Sequence, residues 1–425
     1  MRKVILYALG TAFALILWAA AIFLATLNGW LHQPLAKQNA APDFIAATEA
    51  EIAKQFVGNF ALATLKKGAI ESETYHSAGK PTDRNTVFQV ASLSKWISAV
   101  GVMKLVEAGK LDLDAPVSPY LTRWHLPPSK FSNDDVTVRR LLSHTAGLTD
   151  GLGYSGYAPG TPVQSLEQSL TKASDADAGI SGAVHVGTKP GSAFTYSGGG
   201  YTLLQLVVEE VSGQAFAVFM QEAVFQPLGM THSTYVWNEN APYALAEFYN
   251  QDGTKYNPRR YTALAATSLY TSLSDLSLFC QAHLKGPQNE PIGRGVLTPA
   301  TLKRMREAHG REMGIAIWGL GPVLYATTAD HDFIIGHDGK STPPINTAVR
   351  LNPATGDGII VLETGSPTLA TRLASEWVFW KTGQVDTFLF PMLLPGMIKA
   401  IGIGWLVIIV GAITYFTGKR RRIAS

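Results

Sequence analysis

Ser92-Leu93-Ser94-Lys95 is the pattern in this chain with the clearest capacity for chemistry. Residues three apart on a helix lie one turn apart on the same face, so this spacing sets an amine beside a hydroxyl. A serine hydroxyl is a poor nucleophile at its ordinary pKa, and a neighbouring lysine kept neutral by burial can take its proton and activate it for acyl transfer. Ser169-Leu170-Thr171-Lys172 has the same spacing. Only the surrounding chain separates the two copies.

Ahead of Ser92, the segment Phe60 to Leu65, then Lys67-Gly68, then Ala69 to His76 reads as two strands joined by a tight glycine turn. Behind it, Trp96, Ile97, Val100, Met103, Leu105 and Val106 recur at helical spacing as far as Gly109, which reads as a C-cap. Ser92 is thus predicted to open a buried helix, whose N-terminal N–H groups suit a developing oxyanion. The Ser169 copy falls in a polar, loop-rich stretch between Gly160 and Gly187 and reads as a solvated helix end.

Two further segments accompany the first copy: Leu141-Leu142-Ser143-His144-Thr145-Ala146-Gly147-Leu148, and Pro190-Gly191-Ser192-Ala193-Phe194-Thr195-Tyr196-Ser197 ahead of a helix near Tyr201. With Ser92 and Lys95, they resemble the serine β-lactamase and penicillin-binding protein superfamily, in its class C β-lactamase-like branch of esterases, D-aminopeptidases and DD-carboxypeptidases. The resemblance runs from Asp43 to Lys381. It implies an α/β (α+β) fold: an antiparallel sheet flanked by helices, with an all-helical lobe inserted between the Ser92 helix and the Tyr196 loop. It also implies that Ser92 is the acylated nucleophile, Lys95 the proton acceptor and Tyr196 the phenol of a Y-x-N motif that passes a proton to the leaving group. His144 is assigned to packing of the site wall.

The resemblance calls for a third motif, K-T-G or H-x-G. Lys381-Thr382-Gly383 matches literally but ends an apparent helix, Leu369 to Lys381, with too little chain after it for the strands that should follow. His337-Asp338-Gly339 is followed by a strand, a turn at 352–358, the strand Ile359-Ile360-Val361-Leu362 and a helix, which fits the closing half of such a sheet. It is therefore taken as the motif, with the backbone N–H groups of Ser92 and Lys340 as the implied oxyanion donors. His337, Asp338, Gly339 and Gly198 are the implied substrate contacts. A repeated His-Asp pair, His331-Asp332 and His337-Asp338, lacks a compact three-ligand set for zinc, and neither a metal nor a cofactor is implied.

Two departures bear on substrate. Gly198 stands where Asn is common, removing an amide that contacts acyl-amide groups. Asp338 stands where Thr or Ser is common, and a carboxylate facing the cleft would repel a terminal carboxylate. Both favour esters, or substrates with a neutral or amine end, over penicillins and D-Ala-D-Ala peptides. The alternatives are a penicillin-binding-protein-like DD-carboxypeptidase or β-lactamase, or a low-turnover receptor or scaffold with the same fold.

The chain ends are apolar. Val4 to Leu27 carries no charge and is long enough to cross a bilayer, and Ala400 to Phe416 is a second such run. The basic residues Arg2-Lys3 and Lys419 to Arg422 flank them, which predicts both termini in the cytoplasm and the domain between them on the extracytoplasmic side of the cytoplasmic membrane. The first run reads as an uncleaved anchor or a signal peptide; Asn28 to His32 offers no small-residue cleavage site. The organisation expected is an anchor at 1–30, a tether at 31–42, a hydrolase domain at 43–386, a membrane-proximal stretch and second span at 387–418, and a basic tail at 419–425. The formal charge of +3 comes from the ends: without Arg2, Lys3, Lys399 and Lys419 to Arg422 the chain has 28 basic residues against 32 acidic, so no basic patch points to nucleic acid. Cys280 is the single cysteine and allows no intrachain disulfide.

Overall fold

The computed structural model describes residues 2–36, 41–151 and 153–424. The chain divides into two compact units, residues 48–374 and the combined ends, 1–47 with 375–425. The tether expected at 31–42 lies partly outside the described residues, as do the side chains of Arg2, Lys3 and residues 419–422.

The larger unit is built on an eight-stranded antiparallel sheet. Its strands are β1 (Asn59–Lys66), β2 (Ala69–Ser77), β3 (Gly310–Glu312), β4 (Ile315–Trp318), β5 (Val323–Thr327), β6 (Phe333–Ser341), β7 (Ile345–Asn352) and β8 (Asp357–Thr364), in the spatial order β2-β1-β8-β7-β6-β5-β4-β3. The expected hairpin is β1–β2, turning through Lys67 and Gly68, both at positive φ as a two-residue turn between twisted strands requires.

Side chains alternate across a strand, so register decides which face each residue serves. Ala63, Ile360, Val349 and His337 form one row across β1, β8, β7 and β6; Ala61, Leu362, Thr347 and Gly339 form the next but one. Ala61, Ala63, Val349, Ile360 and Leu362 belong to the main apolar core, which they share with the central helix α1 of this unit (Ser94–Glu107). Leu62, Val361, Ala348 and Asp338 lie in the intervening row and face the opposite way, toward Thr371 in the first turn of helix α4 (Leu369–Thr382).

Between α1 and the closing strands the chain builds a largely helical lobe that includes α2 (Leu166–Lys172) and α3 (Gly198–Ser212). Helix α3 starts at Gly198, a turn earlier than expected. Ser197 caps it, accepting the Gly200 N–H at 2.8 Å, and Gly213 ends it in the left-handed conformation.

The unit formed by the chain ends holds two helices long and apolar enough to cross a membrane: α0 (Arg2–Leu27), with an apolar span over 4–27, and α5 (Leu389–Ala424), with a span over 389–418. They pair through reciprocal indole bonds: Trp18 Nε1–H donates to the Ala400 carbonyl at 3.2 Å and Trp405 Nε1–H to the Leu15 carbonyl at 3.0 Å. Gly404 makes room for this, since a Cβ there would lie 1.9 Å from Trp18 Nε1. The stretch Phe388 to Met397 is helical from Leu389 onward: Pro391 occupies the first turn, where no N–H is needed, and the helix continues through Pro395.

Candidate active site

Ser92 lies in a 3-10 turn, Ala91–Leu93, that opens α1, and it is half-exposed while Ala91, Leu93 and Ser94 around it are buried. Ala91 holds φ of 47°, a conformation that costs a non-glycine residue of order 1 kcal/mol or more and persists only when its neighbours fix it. Here Ser94 does so: its Oγ–H donates to the Ala91 carbonyl at 2.6 Å while its Oγ accepts the Leu269 N–H at 3.0 Å.

One turn along, Lys95 is 2% exposed. Its Nζ donates to Ser92 Oγ at 3.2 Å and to the Ala266 carbonyl at 2.7 Å. Burial brings its pKa down to about 7, opposed by the charge of Asp150. A lysine with that pKa is a competent proton acceptor near neutrality.

Tyr196 approaches from the loop ahead of α3. Burial pushes the pKa of its phenol up, opposed by the Ser92 side chain, so the phenol stays protonated. Lys95 Nζ lies 4.9 Å from the centre of its ring. The residue after it is held twice. The Ser197 N–H donates to His144 Nδ1 at 3.1 Å, and the Ser197 hydroxyl donates to Asp150. His144 is buried, lies at φ of 57°, and packs its ring 4.4 Å from that of Tyr196; burial and the Lys95 charge drive its pKa well down, which suits packing and a neutral acceptor.

Strand β6 passes the same turn. A Cβ on Gly339 would lie 2.0 Å from the Val90 carbonyl, so glycine is what lets the strand come this close to the residues ahead of Ser92. Strand β5 pairs with β6 only from Phe333 to Gly336, which ends strand pairing on that edge before His337 to Ser341. Lys340 is exposed, two residues beyond the neighbours of His337. His337 itself is buried, with Nδ1 against the Asp338 carbonyl at 2.6 Å and a pKa pushed down to about 3, first by burial and then by the Lys95 charge. Its ring meets Trp318 edge to face at 5.2 Å, and Trp318 also touches His144, Phe194 and Tyr196.

The structure thus brings together Ser92, Lys95, Tyr196, His337 and Gly339. It corrects the expectation for Asp338. That carboxylate does not face the cleft: it lies on the other face of β6, paired with buried Arg350 at 2.9 Å, with the Tyr325 hydroxyl donating at 2.5 Å and the Thr371 hydroxyl at 2.9 Å. The physical reason is parity: a strand that turns His337 and Gly339 toward α1 must turn Asp338 away. Gly198 lies at the start of α3 under the ring of Tyr154, where a Cβ would come 2.9 Å from Cε2. Ser169 is buried and not solvated as expected, while Lys172 points to solvent, so the second copy does not pair its hydroxyl with its amine. Lys381 lies over the ring of Trp380 at the end of α4, before Gly383 at φ of 69°.

Trp318, Tyr154 and Asp150 escaped the sequence reading. None belongs to a spaced pattern, and their contacts are with residues far along the chain.

The Beta-lactamase family model matches residues 45–378, and the chain belongs to that family. It is similar to esterase EstB of Burkholderia gladioli, 34% identical over 178 residues that make up 40% of this chain and 43% of that protein. It is also similar to penicillin-binding protein 4* of Bacillus subtilis, 34% identical over 159 residues, 37% of this chain and 32% of that one. Over several curated relatives the chain spans 32% to 52% of their length. Among solved structures, the octameric penicillin-binding protein homologue from Pyrococcus abyssi shares the fold, with a TM-score of 0.66 at 22% identity over 82% of this chain and 80% of that one. The chain therefore carries the fold of the Beta-lactamase family, which among solved structures also includes a β-lactamase/D-alanine carboxypeptidase from Pseudomonas syringae, with a TM-score of 0.62 at 17% identity over 79% of this chain and 98% of that one.

Proposed function

We propose that this protein is a membrane-tethered serine hydrolase that works through an acyl-enzyme on Ser92 and prefers small esters to amides, penicillins and peptides. The observation that carries this reading is the Lys95 amine, buried, with a pKa near 7 and 3.2 Å from Ser92 Oγ. Neutral Lys95 takes the Ser92 proton as Oγ bonds to the acyl carbon. The N–H groups of Ser92 and Lys340 receive the oxyanion. The C–O bond to the leaving alcohol breaks as Tyr196 hands on a proton, and a water molecule then hydrolyses the acyl-serine by the reverse sequence of transfers.

The ester preference rests on Gly198 and its neighbour. The ring of Tyr154 covers the position from which an Asn amide would meet an acyl-amide group, so that wall offers an aromatic face. A buried polar contact is what separates substrates that carry an amide from those that do not, and its loss narrows the advantage of amides. The kinship with esterase EstB supports the same reading. Asp338, turned away from the cleft, no longer argues against carboxylate-bearing substrates or for cationic ones.

The test is a comparison of kcat/KM for a short p-nitrophenyl ester, a cephalosporin and a D-Ala-D-Ala peptide with the full chain in detergent. The ester should lead, and a preference for the D-Ala-D-Ala peptide overturns the reading in favour of a DD-carboxypeptidase.

A further inference from the structure

Asp150 is a charged residue that the motifs leave unassigned, yet it lies 5% exposed against the turn that carries Tyr196, and its charge reaches Lys95. Its Oδ1 accepts the Ser197 hydroxyl and its Oδ2 accepts the Gly199 N–H at 2.7 Å. Ser197 directly follows Tyr196, and Gly199 lies in the first turn of α3. The carboxylate therefore ties the Tyr196 loop to the start of the helix, where unsatisfied N–H groups and the helix dipole favour a negative charge. The run Gly198-Gly199-Gly200 fits this approach, since a Cβ on Gly199 would lie 2.8 Å from Asp150 Cγ.

The same carboxylate acts on the base. Facing Lys95 are the Ser92 hydroxyl, the Ala266 carbonyl, the rings of Tyr196 and Tyr201, the imidazoles of His144 and His337, and the charge of Asp150. Both imidazoles are held neutral, so the negative charge in this set is that of Asp150, whose pKa burial raises while the Ser197 hydroxyl, the Gly199 N–H and the Lys95 charge pull it down. When Lys95 takes the Ser92 proton it becomes an ammonium in a buried site, and such an ion needs a counter-charge.

We infer that Asp150 is a positioning residue of the hydrolase: it clamps the turn that presents Tyr196 to Ser92 and supplies the counter-charge for the Lys95 ammonium. This deepens the reading of Ser92 and Lys95 as nucleophile and base and rests on it. The two roles are separable, because Ser197→Ala removes a clamp bond and leaves the charge, whereas Asp150→Asn removes the charge.

The experiment measures kcat/KM against pH for a p-nitrophenyl ester with the full chain, and labels a separate sample of each variant with a fluorophosphonate. If the unmodified protein takes no label on Ser92, the acyl-enzyme reading itself fails, separately from this inference. With labelling in place, Asp150→Asn should move the acid limb to lower pH by roughly half a unit or more, since Lys95 loses the charge that favours its protonated form, and should lower turnover about tenfold or more. Ser197→Ala should lower turnover several-fold and leave the acid limb in place. An acid limb unmoved by Asp150→Asn overturns the inference. So does unchanged turnover in Ser197→Ala, which decides the matter alone if Asp150→Asn does not fold.

Discussion

In the proposed reaction Lys95 and Tyr196 divide the proton traffic around Ser92, because burial acts on them in opposite senses. It removes a proton from an amine and keeps one on a phenol. With the Lys95 pKa near 7, the neutral, active form is lost as pH falls through that value. The expected profile of kcat/KM therefore rises from acid pH and levels above about 7. A profile that stays flat from pH 5 to 8 contradicts the assignment of Lys95 as the base. Ser92→Ala should abolish turnover, and Lys95→Ala and Tyr196→Phe should each cost roughly a hundredfold or more, with the double variant scarcely worse than either, because the two act as one unit. Initial rates on an ester, with folding checked by circular dichroism, measure this. Ser92, Lys95 and Tyr196 were legible in the sequence because each belongs to a spaced motif set beside a recognisable element. Asp150 and Trp318 were not, because what makes them matter is contact with residues far along the chain, which one sequence does not display.

At the level of elements, the site is a meeting of the α1 turn, the loop ahead of α3 and strand β6. The strand's parity was the feature the sequence left open: His337-Asp338-Gly339 could be picked out as a motif, but only the register against β7 and β8 says that Asp338 faces α4. That changes the consequence of replacing it. Asp338→Thr should leave the preference for carboxylate-bearing substrates where it is and destabilise the protein by about 3–5 kcal/mol, because fully buried Arg350 loses the Asp338 carboxylate paired with it. Urea unfolding of the variant measures the loss, and a stable Asp338→Thr protein with improved carboxylate turnover contradicts the observed orientation. Gly339→Ala addresses the opposite face. Its methyl would meet the Val90 carbonyl, pushing β6 off the nucleophile turn, and turnover should fall roughly a hundredfold for a displacement near 1 Å.

At the scale of the whole molecule, two apolar helices flank the family's fold, and their lengths and hydropathy suit a bilayer. Both were legible in composition alone, since a charge-free run of this length has few other uses; their pairing through Trp18, Gly404 and Trp405 was not. With Lys419 to Arg422 following the second run, reporter fusions after Asp43 and before Phe388 should lie outside the cytoplasmic membrane and a fusion after Arg422 inside. An outside reporter at the C-terminus contradicts this topology.

The central claim is a covalent acyl-serine at Ser92, and acid-quenched intact mass with peptide mapping tests it most directly. Mixed with a slow ester or a fluorophosphonate, the unmodified protein should gain one acyl or phosphonyl mass on the peptide that contains Ser92; Ser169→Ala should do the same, and Ser92→Ala should gain nothing. An adduct mapped to Ser169, or ester hydrolysis that persists in Ser92→Ala, would contradict the account.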